Sequence, residues 1–269
     1  MKMAKKRFYI LLSVTCVYLT LAFCVPLFVT ADPYDADFYK SFSSPSADNW
    51  FGTDKMGRDI FARTLYGAQL SLSTTLLLVG IIFVVGGGIG IISGYFGGRL
   101  DAVLMRIADI FVSFPGMALA LAMAGMLGLG LMNAVIAIAL VSWTKYARLS
   151  RSMVLQIKKQ EYMYAAKLAG DTTGQIIFRY VIPATLPTLI ITASSDVGVM
   201  MLQLAGFSFL GLGAQTGAIE WGFMLSEGRQ FMEYAPWLMI FPGLAIFISV
   251  ALFNLLGDSV RDVLDPKSL

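Results

Sequence analysis

Apolar residues in this chain come in long, nearly unbroken blocks, rather than at the two-residue period of a strand or in the narrow stripe of a surface helix. A membrane-spanning helix needs about twenty mostly apolar residues. Six blocks approach that length: Phe8 to Val29, Leu72 to Tyr95, Ile107 to Leu127, Leu131 to Ala147, Leu186 to Leu210 and Pro236 to Leu256. The fourth is the shortest and the fifth the most polar. The pattern predicts an all-α integral membrane protein with about six transmembrane helices.

The polar stretches divide the chain. Residues 1–30 form a short tail and the first span, 31–68 an extracytoplasmic segment, 69–258 the main transmembrane domain and 259–269 a terminal tail. The 31–68 segment begins acidic, with Asp32, Asp35 and Asp37, and continues through Gly52-Thr53-Asp54 and Gly57-Arg58-Asp59. From Asp59 onward Ile60, Phe61, Leu65 and Tyr66 recur at helical spacing. They predict an amphipathic helix in the outer interface, capped near Thr53 or Asp54. A second outer loop, Ala214 to Tyr234, carries Glu220, Trp221, Glu227 and Glu233.

Basic residues set the orientation, because Lys and Arg are retained on the cytoplasmic side. With the N-terminus inside, the inner stretches hold Lys2, Lys5, Lys6 and Arg7, then Arg99 and Arg106. The longest adds Lys145, Arg148, Arg151, Lys158, Lys159, Lys167 and Arg179, and the tail adds Arg261 and Lys267. The outer stretches hold only Lys40, Lys55, Arg58, Arg63 and Arg229. Both termini are therefore cytoplasmic. The first block also has a basic start and small residues at Thr30-Ala31, but it exceeds the 7–15 residues of a signal-peptide core, so it is read as a retained span.

Composition agrees. Hydrophobic residues make up 57% and charged residues 14%, against about a quarter charged in soluble domains; mean hydropathy is +0.74. The net charge of +3 is too small to suggest a nucleic-acid partner, so membrane lipid is the expected surrounding. There is no histidine, which removes the commonest acid–base group and a common metal ligand. Cys16 and Cys24 lie in one apolar block, about 12 Å apart on a helix, too far for a disulfide. No metal site and no catalytic residue is assigned.

The inner stretch from Lys158 to Pro187 is the most informative. Two short helical patterns meet at Gly170–Gly174, where Asp171, Thr172 and Thr173 offer capping oxygens. Ala165, Ala166 and Ala169 leave a shallow surface that another protein could approach. This segment resembles the cytoplasmic loop of ATP-binding-cassette importer permeases, whose pattern is Glu-Ala-Ala, three residues, Gly, nine residues, Ile-x-Leu-Pro. Ala165, Ala166, Gly170 and Pro183 match it; Tyr164, Tyr180 and Ile182 replace its Glu, Ile and Leu, and Glu161 stands three residues before Tyr164. The resemblance extends to Gly52-Thr53-Asp54, Gly57-Arg58-Asp59 and Arg63; to Ser208-Phe209-Leu210-Gly211-Leu212-Gly213; and to Asn254-Leu255-Leu256-Gly257-Asp258, Arg261-Asp262 and Asp265-Pro266. Together these are similar to C-type subunits of the dipeptide, oligopeptide and nickel permease family.

The resemblance implies a type I importer permease fold in the bacterial inner membrane. It also implies a coupling helix at about 159–179, in which Glu161, Tyr164, Ala165, Ala166, Gly170 and Pro183 meet an ATPase. The implied partners are a homologous B-type permease subunit, two ATP-binding-cassette ATPase subunits and an extracytoplasmic solute-binding protein. No Gly-Lys pair exists for a phosphate-binding loop, so hydrolysis is expected on another chain, with no enzyme activity and no cofactor on this one.

Polar groups within spans tend to face a cavity or another helix. Asp196, Met200 and Gln203 share one face of the fifth block, and they are either the wall of the translocation path or, for Asp196, a bond to a neighbouring helix. Asn133, Ser142 and Lys145 are weaker candidates. Gly86, Gly90, Gly94 and Gly98 form a small-residue stripe suited to close helix packing. The run from Asn133 to Ser152 and that from Asp196 to Phe209 resemble the nickel branch, which implies nickel or a nickel chelate as solute, with a di- or oligopeptide as the alternative. An ion-coupled carrier, which would usually show internal repeats, and a membrane-embedded enzyme, which would need clustered groups beside Asp196, are less favoured.

Overall fold

In the computed structural model, residues 2–25, 28 and 32–264 are described. Val29, the Thr30-Ala31 step, Asp265-Pro266 and Lys267 lie outside them. The described residues form helices and turns, with one isolated bridge pairing Thr53 to Asp59.

Helix α1, Lys2–Cys24, stops before the expected end; Pro26 follows, and a residue before proline avoids helical backbone. Helix α2 runs without interruption over Ile60–Phe96. Among the described residues no separate interfacial α-helix precedes the second span: the predicted one is the first turns of α2, and its cap is Asp59, whose carboxylate accepts from the Ala62 N–H at 2.9 Å. The 68/69 boundary therefore falls inside a helix, as does 258/259 in the last helix, Trp237–Leu264.

The third block is not one straight span. Helix α3, Gly98–Val112, and helix α4, Gly116–Leu127, meet at 92°. Pro115 sits at the break, where it supplies no N–H and holds Phe114 out of helical backbone. Hydropathy does not register such a bend. Helix α5, Leu131–Ile157, extends about three turns beyond the expected Ala147, so Lys145, Arg148 and Arg151 lie within it. Helix α6, Glu161–Leu168, and helix α7, Thr173–Ile176, make the inner hairpin. A π turn, Ile177–Val181, joins α7 to helix α8, Ile182–Phe209; it lies just ahead of Pro183, whose ring cannot donate to a regular ladder. Helix α9, Trp221–Gly228, and helix α10, Trp237–Leu264, complete the chain.

Among the described residues four runs are long and apolar enough to cross a membrane: 3–24, 60–96, 173–209 and 237–264. The bent α3–α4 pair is a fifth candidate. Helix α5 has the length of a sixth, but its charged second half lowers its hydropathy.

Helices α2 and α5 pack most closely. A Cβ on Gly86 would come within 2.5 Å of the Trp143 carbonyl, one on Gly90 would overlap the Ala147 carbonyl, and one on Gly94 would lie 2.9 Å from Val154. Three members of the glycine stripe thus form a backbone-close seam. Gly98 does not: with Gly97 it makes the turn into α3, at φ values of 59° and 67°. The main core joins Leu72, Leu78, Ile82, Val135, Ile138, Met201, Phe207 and Trp221 across α2, α5, α8 and α9.

Candidate functional site

The inner hairpin is held by a small core of its own. Met163, 1% exposed, packs with Ile91, Val154, Ile176 and Val181 from α2, α5, α7 and the π turn, and Ala166 is buried on the same helix at 5% exposed. Lys158 fastens the ends of α5 and α2, donating to the Tyr95 carbonyl at 2.7 Å. The opposite face of α6 carries Glu161, Tyr164, Ala165 and Leu168, all exposed, Leu168 by 89%. Of the three alanines expected to form a shallow surface, Ala165 and Ala169 are exposed while Ala166 is buried, and Tyr164 and Leu168 add to the outer contour. Gly170 ends α6 at φ +87°, with the Asp171 N–H donating to Ala166 and the Gly170 N–H to Lys167, both at 3.1 Å. This double bond pattern at a left-handed residue is a Schellman stop. Thr172 then caps α7 in a capping box with Gln175. Pro183 is exposed at the start of α8. From Thr173 to Phe209 the helical run spans 37 residues, so α7 and the middle of α8 belong to one rod, with α6 set off from it by the Gly170 stop.

Near the centre of that rod lies Asp196, 5% exposed. Lys145 Nζ donates to its two oxygens at 2.7 and 2.9 Å, and the Tyr146 hydroxyl donates to Oδ2 at 3.0 Å. Asp196 is thus bonded to α5, and it is not the only deep charge. Met200 is 6% exposed within the main core. Gln203 is half-buried and lines a cleft of about 80 Å³ with Met117, Ser142 and Phe207. The three expected path residues do not share one open surface: Asp196 and Met200 face into the bundle, and Gln203 faces the cleft. Asn133 caps the α4 end instead, donating to Leu127 and Gly128 at 3.0 and 3.1 Å. Two further ion pairs continue down α5: Arg148 to Asp109 at 2.8 Å, and Arg151, bidentate, to Asp101 at 2.5 and 2.6 Å.

The outer face is locked by charges whose partners sequence could not pair. Asp54 accepts from Met56 N and Arg58 N, and from Arg58 Nε at 2.6 Å. Arg63, buried, donates to Glu227 Oε2 at 3.1 Å. Gly57, at φ +75°, passes so close to Asp37 that any Cβ would collide with its carbonyl. The outer loop is no open loop either. Glu220, 3% exposed, caps α9 by accepting from Gly222 N and Phe223 N at 2.9 Å and from Ser71 Oγ at 3.2 Å. Burial pushes its carboxyl above the usual range, while these bonds pull it back. Among the described residues no group of three or more His, Cys, Asp or Glu is arranged to hold a metal.

Residues 86–269 match the family described as binding-protein-dependent transport system inner membrane component. The chain belongs to that family. It is the permease subunit of an ATP-driven importer, a multi-pass protein of the inner membrane, as the hairpin pattern implied. Family members of this type work with a second permease, ATPases and a substrate-binding protein. The chain is 42% identical to the dipeptide transport system permease protein DppC of Alkalihalophilus pseudofirmus, over 93% of this chain and 82% of that one. It is 43% identical to the nickel transport system permease protein NikC of Escherichia coli (strain K12), over 87% and 85%. Its fold matches a chain of an inward-facing MetNI methionine ABC transporter structure, with TM-score 0.62 and 21% identity, covering 76% of this permease and 97% of that chain.

Proposed function

We propose that this permease forms half of a translocation pore and that α6 is the lever by which a separate ATPase moves it. The supporting observation is the division of α6 into two faces. Met163 binds it to the bundle and Ala166 is buried, while Glu161, Tyr164, Ala165 and Leu168 remain outside. A helix anchored on one side, with Tyr164, Ala165 and Leu168 exposed on the other, suits a groove in a soluble partner. A displacement at α6 would pass through the core that Met163 shares with Ile176 and Val181 into the continuous run from α7 to α8, and so toward Asp196 and its partner Lys145. In this reading ATP binding draws two ATPase subunits together, the levers move, and the path between this chain and a homologous permease opens to the other side. An extracytoplasmic binding protein delivers the solute to the outer face, where the Asp54–Arg58–Arg63–Glu227 lock holds a rigid surface.

The solute in this proposal is a nickel chelate or a di- or oligopeptide. The run from Asp196 to Phe209 resembles the nickel branch, while the two relatives, at 42% and 43% identity, favour neither. Two measurements test the reading. A cysteine at Leu168, in a background lacking Cys16 and Cys24, should cross-link to the ATPase in the assembled complex; absence of any such product overturns the lever. Uptake of radiolabelled nickel and of a labelled dipeptide, in cells lacking this chain and in complemented cells, should show ATP-dependent restoration of one of them. Restoration of neither overturns the solute class.

A further inference from the structure

We propose that Lys145, with Arg148 one turn below it, is the specificity-determining cation of the translocation path, and that the group it meets is a carboxylate of the passing solute. This rests on the reading of the chain as half of a pore.

Depth comes first. Lys145 stands near the middle of the 27-residue α5 and Asp196 near the middle of the 28-residue α8. Their ion pair therefore joins the two helices near their centres, about 21 Å along α5 from its Leu131 end. The two side chains are unequally covered: Asp196 is 8% exposed and Lys145 is 58% exposed. An ammonium is costly to place against hydrocarbon. The open side of Lys145 must face water or polar groups.

The rest of that face agrees. Ser142, Lys145, Arg148 and Ser152 follow one another at helical spacing on α5, each exposed or half-buried. Ser142, one turn outward, shares its cleft with Gln203. A polar row crossing the middle of a membrane helix is out of place against hydrocarbon and in place along a water-filled path.

Charge decides what the row binds. The Asp196 charge is hidden beneath Lys145, so the cation is what the path meets. Two of the three ammonium donors engage Asp196 oxygens, which leaves one to turn outward. Arg148 gives one nitrogen to Asp109 at 2.8 Å and keeps the remainder of its fork. Asp109, exposed beside this face, is flanked by Arg106 on the same helix as well. An outward donor at Lys145 and a partly free fork one turn away fit a carboxylate.

The experiment uses the whole reconstituted complex, with Cys16→Ser and Cys24→Ser on this chain. Ser142→Cys places a thiol one turn from Lys145 without touching either charge. An anionic methanethiosulfonate should label it about tenfold faster than a cationic one of equal length, and Lys145→Gln with Asp196→Asn should erase that preference. Cationic preference, or no labelling with and without ATP while uptake remains intact, overturns the proposal and spares the permease reading; loss of all ATP-dependent uptake by the unmodified complex overturns that reading instead. In the second arm, the double substitution should raise KM for alanyl-alanine about tenfold with kcat little changed, and remove its preference over alanyl-alanine amide. Equal transport of acid and amide by the unmodified complex, or transport of free nickel ion and neither dipeptide, overturns the carboxylate assignment.

Discussion

Lys145 on α5 and Asp196 on α8 meet near the centres of their helices, with both carboxylate oxygens of Asp196 within 2.9 Å of the ammonium. The pair joins the rod that begins in the cytoplasmic hairpin to the helix that packs along α2. Because Lys145 is half exposed, the coupling should fall between the ~0–1 kcal/mol of surface pairs and the ~3–5 kcal/mol of buried ones. Asp196→Asn or Lys145→Gln alone should each lower the thermal stability of the solubilised complex, and the double change should recover most of the loss. A double-mutant cycle on melting temperature measures this.

The seam between α2 and α5 should be intolerant at one glycine and indifferent at a near neighbour. Gly90→Ala drives a methyl group into the Ala147 carbonyl and Ser150, and overpacking of this kind costs about 1–3 kcal/mol. Gly88→Ala meets nothing within 4 Å and should gain up to about 1 kcal/mol in helix propensity. Monodispersity on size-exclusion chromatography and thermal unfolding should separate the two variants.

The two faces of α6 should fail in different ways. Leu168→Asp, at a position 89% exposed, should leave folding stability within about 0.5 kcal/mol and abolish co-purification of the ATPase. Met163→Ala empties part of the hairpin core and should cost about 2–4 kcal/mol, exposing residues 158–183 to protease. Equal behaviour of the two variants would contradict the division.

Glu220 gives a pH prediction. Its folded-state pKa is raised by burial, so the native protein holds this proton more firmly than the unfolded chain does. The associated stability is present below the ordinary carboxylate pKa and is lost as pH rises through the elevated folded value. Glu220→Gln should therefore flatten the fall in stability above about pH 4.5, when the variant and the parent are melted across a pH series. Glu220→Ala should cost about 1–2 kcal/mol at any pH by uncapping α9.

Several motifs that carried the family resemblance turn out to be structural stops and close contacts. Gly211, at φ +83°, ends α8 in a second Schellman motif, with the Leu212 N–H donating to Phe207 at 2.9 Å. Gly257 lies against the Ser195 backbone, where a Cβ would come within 2.9 Å. The Asp54-to-Arg63 run is half of an ion-pair lock whose other half, Glu227, lies on α9. Their order along the chain was legible; their partners were not, because ion pairs across 164 positions leave no periodic trace.

The sequence alone determined the solvent and the hairpin. Those follow from local quantities: apolar block length, and capping residues within a few positions of one another. Only the tertiary structure decided that α2 is one helix, that the third block bends by 92°, and that the deep carboxylate belongs to a pair. A right-angle bend at Pro115 leaves average hydropathy unchanged, and whether a charge is buried depends on which helix lies opposite. Asp196 reads as an isolated acid until α5 brings Lys145 to it.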